Sequence, residues 1–144
     1  MSKHYTSCKN LPLGSSINLY ISNISAQCVY YLTGQEGTFT TNNYPENYDE
    51  SSNCQWSIQV AKGFQIELTF EDFSTEDGFD YVDVIDGLTT TSKFIGRYSG
   101  DNLTIPAITS SSNTLMVQFV SDEGDNFRGF KAKYRAGKIP IFFH

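Results

Sequence analysis

Apolar and polar residues alternate with a period of two along much of the chain from about residue 37 to residue 134. Trp56, Ile58 and Val60 alternate with Gln55, Ser57 and Gln59, and Ile66, Leu68 and Phe70 with Glu67 and Thr69. Leu115, Val117 and Phe119 alternate with Met116 and Gln118, and Phe130, Ala132 and Tyr134 with Lys131, Lys133 and Arg135. Successive side chains of an extended backbone point to opposite faces, so each run predicts a strand with one buried and one solvated face. The stretches NNYPENYDESSN, AKG, DGLTTTSK, SGDN and SDEGDNFRG separate the runs and are rich in turn formers. No segment keeps helical spacing of apolar residues for two full turns. Short two-faced strands between turns predict an all-β chain, folded as an antiparallel β-sandwich.

Composition agrees with that reading. The 144 residues suit one domain with one substantial core, and 11 Phe and 9 Tyr favour strands. The formal charge is −6, and the only basic run, RGFKAKYR, alternates with apolar residues as a strand does. This argues against binding to a nucleic-acid phosphate backbone. No apolar stretch reaches the roughly 18–20 residues of a membrane-spanning helix. Residues 2–16, SKHYTSCKNLPLGSS, have no apolar core of the kind a secretory signal needs. The chain is therefore expected to be cytosolic or a processed piece of a secreted protein. Two triplets match the N-glycosylation sequon, at Asn23 and Asn102. Cysteines stand at positions 8, 28 and 54, an odd number that leaves one over. A bridge between Cys28 and Cys54 would close a turn-rich loop; the alternative is three buried thiols in a reducing compartment.

Residues 70–87, FEDFSTEDGFDYVDVIDG, hold seven carboxylates and no Lys or Arg. Such crowding fits a solvated face, a catalytic pair or a cage for a hard cation. Val82 and Val84 fall on one strand face with Asp80 and Asp86, so the strand has acidic ends. Asp80 is expected at one rim, where the loop STEDG delivers Glu76. Asp86-Gly87 belongs at the opposite rim, with its Asp shaping the turn. The seven acids therefore do not form one cluster. A catalytic pair needs its carboxylates about 5–9.5 Å apart, which Glu76 and Asp80 could meet. However, His occurs only at positions 4 and 144, and no GxSxG, HExxH, P-loop or Cys–His pairing is present. The sequence predicts no enzyme.

Taken in order, these pieces resemble a CUB domain, over residues 28 to about 134. GTFTTNNYPENY (37–48) is similar to the family's opening G-x-(F/I)-x-(S/T)-x-x-Y-P-x-x-Y, and CQWSI (54–58) to its Cys-x-Trp-x-Ile. Residues 66–87 resemble its strand, acidic loop, strand and Asp-Gly turn. SSSNTLMVQFVSDEGDNFRGFKAKY (110–134) resembles its closing segment. The chain also departs from the pattern. A second disulfide would need cysteines near Phe79 and Ser99, VYYLTG replaces the glycines after the first cysteine, and the acidic loop is shortened.

The resemblance implies a two-sheet jelly roll at 28–136, after an N-terminal leader or extra strand (1–27) and before a C-terminal apolar tail (137–144). That tail, within AGKIPIFFH, is either an edge strand or a contact surface. The resemblance further implies a Cys28–Cys54 disulfide and a secreted, glycosylated protein. It implies a Ca²⁺ site made by the side chains of Glu76, Asp80 and Asp122 and the carbonyl of Gly124, with Tyr48 propping Glu76. Asp125 and Asn126 lie near enough to add an oxygen. The function implied is calcium-dependent protein binding and adhesion, in which Glu76, Asp80, Asp122 and Asp125 pair with a Lys or Arg of a partner. The alternatives are a carbohydrate-binding module and a structural matrix or coat component without metal, joined into homo-oligomers through Cys8.

Overall fold

The computed structural model describes residues 28–89 and 91–141. Cys8, Asn23, the leader and the last three residues of the tail lie outside them. The described residues form nine strands and no helix: β1 (Cys28–Leu32), β2 (Glu36–Thr40), β3 (Asn53–Gln59), β4 (Phe64–Ser74), β5 (Tyr81–Asp86), β6 (Lys93–Tyr98), β7 (Ile108–Thr109), β8 (Thr114–Val120) and β9 (Gly129–Lys138). One sheet has the order β1-β3-β8-β5-β6, and the other β2-β9-β4-β7. The all-β two-sheet architecture is the one the alternation predicts. One pair in this antiparallel sandwich runs the other way: β1 pairs with β3 in parallel, Cys28 opposite Cys54 and Leu32 opposite Ile58. The strand β2 between them belongs to the other sheet, so the chain crosses the sandwich and returns to β3 in the direction of β1.

The inward faces follow the period of two. Trp56, Ile58, Ile66, Leu68, Val82, Val84, Leu115, Val117, Phe119 and Phe130 are all nearly inaccessible to solvent. Their aromatic rings meet edge-on: Phe130 lies 5.8 Å from Phe39, 5.3 Å from Trp56 and 5.4 Å from Phe70 between ring centroids. That geometry sets the positive ring edge against the negative face. Ser57 and Met116, assigned to the solvated face, are buried as well, and so is Asp83; all three lie on inner strands of the five-stranded sheet. Asp83 is satisfied there by Arg97, which reaches both its oxygens at 2.7 and 2.8 Å and stacks over Tyr81. Cys28 and Cys54 are joined by a disulfide.

Strand registers place four loops at one end of the sandwich. Ser74 at the end of β4 lies opposite Gly129 at the start of β9. Val120 at the end of β8 lies opposite both Tyr81 and Asn53, and Tyr98 at the end of β6 opposite Val82. The loops 41–52, 75–80, 99–107 and 121–128 therefore share a rim. Gly129 has φ +82°, and a Cβ there would collide with Thr41, whose Oγ1 accepts the Phe130 N–H at 3.1 Å. At the other rim the expected role of Asp86 is corrected. Its oxygens accept the N–H of Ser111 at 3.0 and 3.2 Å, so it ties the approach to β8 instead of shaping its own turn. Strand β9 runs on to Lys138, which pairs with Phe64, and Ile139 and Ile141 beyond it are exposed.

Candidate metal centre

The rim gathers acids from two loops that are more than 40 residues apart in sequence, at positions 76–80 and 122. Oxygens of Glu76, Asp80 and Asp122 all lie within 4.8 Å of one another. Oxygens around one calcium ion sit about 2.3–2.6 Å from it, so a spread up to about 5 Å across the shell is compatible. Among the described residues the ion pairs fall on Asp83, Asp72, Glu71 and Glu67, and none involves these three acids.

Local bonding explains why the three converge. The loop 76–80 folds back on the Glu76 carbonyl, which accepts the N–H groups of Phe79 and Asp80 at 3.2 and 3.0 Å. Asp80 is fully buried; its Oδ2 accepts the Tyr48 hydroxyl at 2.6 Å and its Oδ1 the Asp122 N–H at 2.8 Å. Asp122 has two sets of neighbours. It caps its own turn through Gly124 N–H at 2.7 Å, and it faces Glu76 and Asp80. Glu76 Oε1 is buried and has no hydrogen-bond partner. A Cβ on Gly124 would lie 3.0 Å from both Asp122 Oδ1 and Glu76 Oε1, so glycine there keeps the space beside the carboxylates open. Asp125 is exposed, whereas Asn126 holds a buried Oδ1 without a partner.

The electrostatics match this crowding. Desolvation, and then the charges of Asp122, Asp80 and Asp125, push the Glu76 carboxyl above its ordinary range. Burial pushes Asp80 up; the Tyr48 hydroxyl and the Asp122 N–H act the other way, and the Asp122 carboxylate adds to the rise. Negative charge held this way invites a cation. An orphaned buried carboxylate oxygen, an all-oxygen donor set and an open space at Gly124 fit a hard divalent ion.

Two expectations change. Tyr48 does not prop the Glu76 side chain. Its hydroxyl bonds to the Asp80 carboxylate and accepts the Glu76 backbone N–H at 3.2 Å, so it holds Glu76 by the main chain. The second change lies at Phe79 and Ser99, where the sequence suggested only missing cysteines. Ser99 Oγ lies 2.7 Å from the Asp80 carbonyl and 3.2 Å from the Glu76 carbonyl, and it accepts Gly78 N–H at 2.9 Å. A hydroxyl thus clasps the acidic loop where a disulfide would have stood. The departure from the cysteine pattern marked the position but not the clasp. Thr75, also missed, adds a bond to the Asp80 carbonyl at 3.1 Å and takes Gly100 N–H at 3.0 Å.

Comparison with known proteins identifies the family. Residues 28–134 match the family model of the CUB domain. Human cubilin is 37% identical over 125 residues, covering 84% of this chain and 3% of cubilin. The human CUB and zona pellucida-like domain-containing protein 1 is 39% identical over 111 residues, 74% of this chain and 18% of that protein. The chain therefore spans a small part of the curated relatives it matches. The crystal structure of the MASP-1 CUB2 domain bound to Ca²⁺ superposes with a TM-score of 0.66 at 30% identity, over 74% of this chain and 96% of that one. The match over residues 28–134 shows that the chain belongs to the CUB domain family, non-catalytic binding and adhesion modules of extracellular proteins.

Proposed function

We propose that this domain is a calcium-dependent protein-binding module whose rim acids receive a Lys or Arg of a partner. The observation that carries the reading is the convergence of Glu76, Asp80 and Asp122 with no cationic side chain of the described residues among them. The calcium named with the MASP-1 CUB2 domain supports it. In this reading Glu76, Asp80 and Asp122 supply carboxylate oxygens and Gly124 its carbonyl, with Asn126 or Asp125 close by. A bound Ca²⁺ removes the mutual repulsion of the acids and couples the loops 75–80 and 121–128. Carboxylate oxygens that remain open at the rim, with Asp125 beside them, pair with the incoming ammonium or guanidinium. Such a contact weakens with salt.

Calorimetric titration with Ca²⁺ tests the proposal, with thermal melts alongside. The parent chain should release or take up heat at a single site and melt higher in calcium than in chelator. Glu76→Gln should lose both effects while keeping the calcium-free melting temperature close to that of the parent. Asp80 is the poorer probe, since it is buried and bonded to Tyr48 and Asp122. A parent that melts at the same temperature with and without calcium would sink the reading.

A further inference from the structure

Neither the core nor the acid cluster uses the sequon Asn102-Leu-Thr104. It lies in the loop between β6 and β7, and residues 101–104 are all exposed. Asn102 has φ +51°, a left-handed backbone that asparagine tolerates better than most residues. Its Oδ1 accepts Arg128 Nη2 at 2.6 Å. Arg128 is itself anchored on both oxygens of Asp72, at 2.8 and 2.6 Å. The Leu103 N–H donates to the Phe73 carbonyl at 3.0 Å and fixes the loop to the end of β4. The side-chain amide is thus oriented through its oxygen, while Nδ2 donates to no described residue. The turn and the Arg128 bond account for an asparagine at 102. They do not call for a hydroxyl at 104, and the Thr104 hydroxyl bonds to no described residue.

We infer that Asn102 carries an N-linked oligosaccharide, attached through Nδ2 while Oδ1 keeps its bond to Arg128. The secretory pathway reads this triplet on surface loops, and the disulfide and the family place the chain there. The donor is an oligosaccharide on a lipid pyrophosphate. The bond from its anomeric carbon to the pyrophosphate oxygen breaks, a carbon–Nδ2 bond forms, Nδ2 gives up one of its two protons, and the lipid pyrophosphate leaves. Thr104 supplies the hydroxyl that the transfer machinery recognises. Because β6 ends on the rim of Glu76, Asp80 and Asp122, the sugar stands on the same end of the sandwich as those acids.

The test is expression of the full chain behind an added secretory signal in mammalian cells, with peptide mapping of the secreted protein before and after peptide-N-glycosidase in heavy-oxygen water. The peptide containing Asn102 should carry sugar, and after treatment should show Asp labelled with heavy oxygen at that position. Resolving the peptide keeps Asn102 separate from Asn23. Thr104→Ala leaves Asn102 and its Arg128 bond in place, and should be secreted folded without sugar on this peptide. Thr104→Ser should keep it. A secreted, folded parent with an unmodified Asn102 peptide overturns the inference, and so does sugar that persists in Thr104→Ala.

Discussion

At the scale of single residues, Tyr48 is the hinge of the rim. One hydroxyl serves the carboxylate of Asp80 and the backbone of Glu76, and its ring is packed edge-on against Phe119. Tyr48→Phe keeps the ring and removes the hydroxyl, leaving a buried carboxylate oxygen short of a donor. We expect a loss of about 1–3 kcal/mol in urea unfolding, together with weaker calcium uptake. A second residue-scale prediction concerns Asp72. The Arg128 guanidinium, helped by the Tyr44 hydroxyl, holds its carboxyl at about 2, below the ordinary 3.8, against an opposing push from burial. A depressed folded pKa contributes stability above the unfolded value and loses it as pH falls through the folded one. The stability gap between the parent and Arg128→Gln, read from urea midpoints, should therefore be widest near neutrality and close as pH falls from about 4 towards about 2. Of the site itself, Glu76, Asp80 and Asp122 could be read from the sequence because ordered motifs put two loops in reach of each other. The partner of Tyr48 could not, since the choice between Asp80 and Glu76 depends on which carboxylate the fold buries. Thr75 gave no signal, and the missing cysteine marked Ser99 without revealing its bonds: a serine or threonine in a loop looks the same whether it clasps a turn or faces water.

At the scale of elements, the strands that could be read were those with one face in the core and one in solvent. The strands β3, β4, β8 and β9 carry clean alternation, and β5 shows it between its acidic ends. Three strands escaped. The edge strand β1, CVYYL, is apolar on both faces and so has no readable period. In β6, KFIGRY, every residue is at least partly exposed, and its register shifts where it meets Val84 and Ile85 of β5. The strand β7 is only two residues long. The parallel direction of β1 was equally hidden, because the side-chain pattern of a strand does not state which way its neighbour runs. Pairing direction is a property of the connection, here the passage through β2 in the opposite sheet.

At the scale of the whole molecule, the disulfide is the one covalent tie among the described residues, closing a separation of 26 residues that contains β2 and the loop of Tyr48. On the chain-entropy model, a closure of that length contributes about 3–4 kcal/mol by restricting the unfolded chain. Replacing both Cys28 and Cys54 by Ala should lower stability by that amount in urea unfolding, with the folded sheet order unchanged.

The parallel pair of β1 and β3 also decides how the domain bears force. Cys28 sits at the acidic rim, while Lys138 lies at the far end beside Phe64. Tension arriving at residue 28 does not have to be carried by the hydrogen bonds of an edge strand. It crosses the sulfur bridge into Cys54 on β3, which is flanked by β1 and β8, and at the other terminus it is taken up by β9 between β2 and β4. Stretched between those two points, the sandwich is loaded through inner strands in shear, so a tug on the chain is resisted without first peeling open the end that holds the acids.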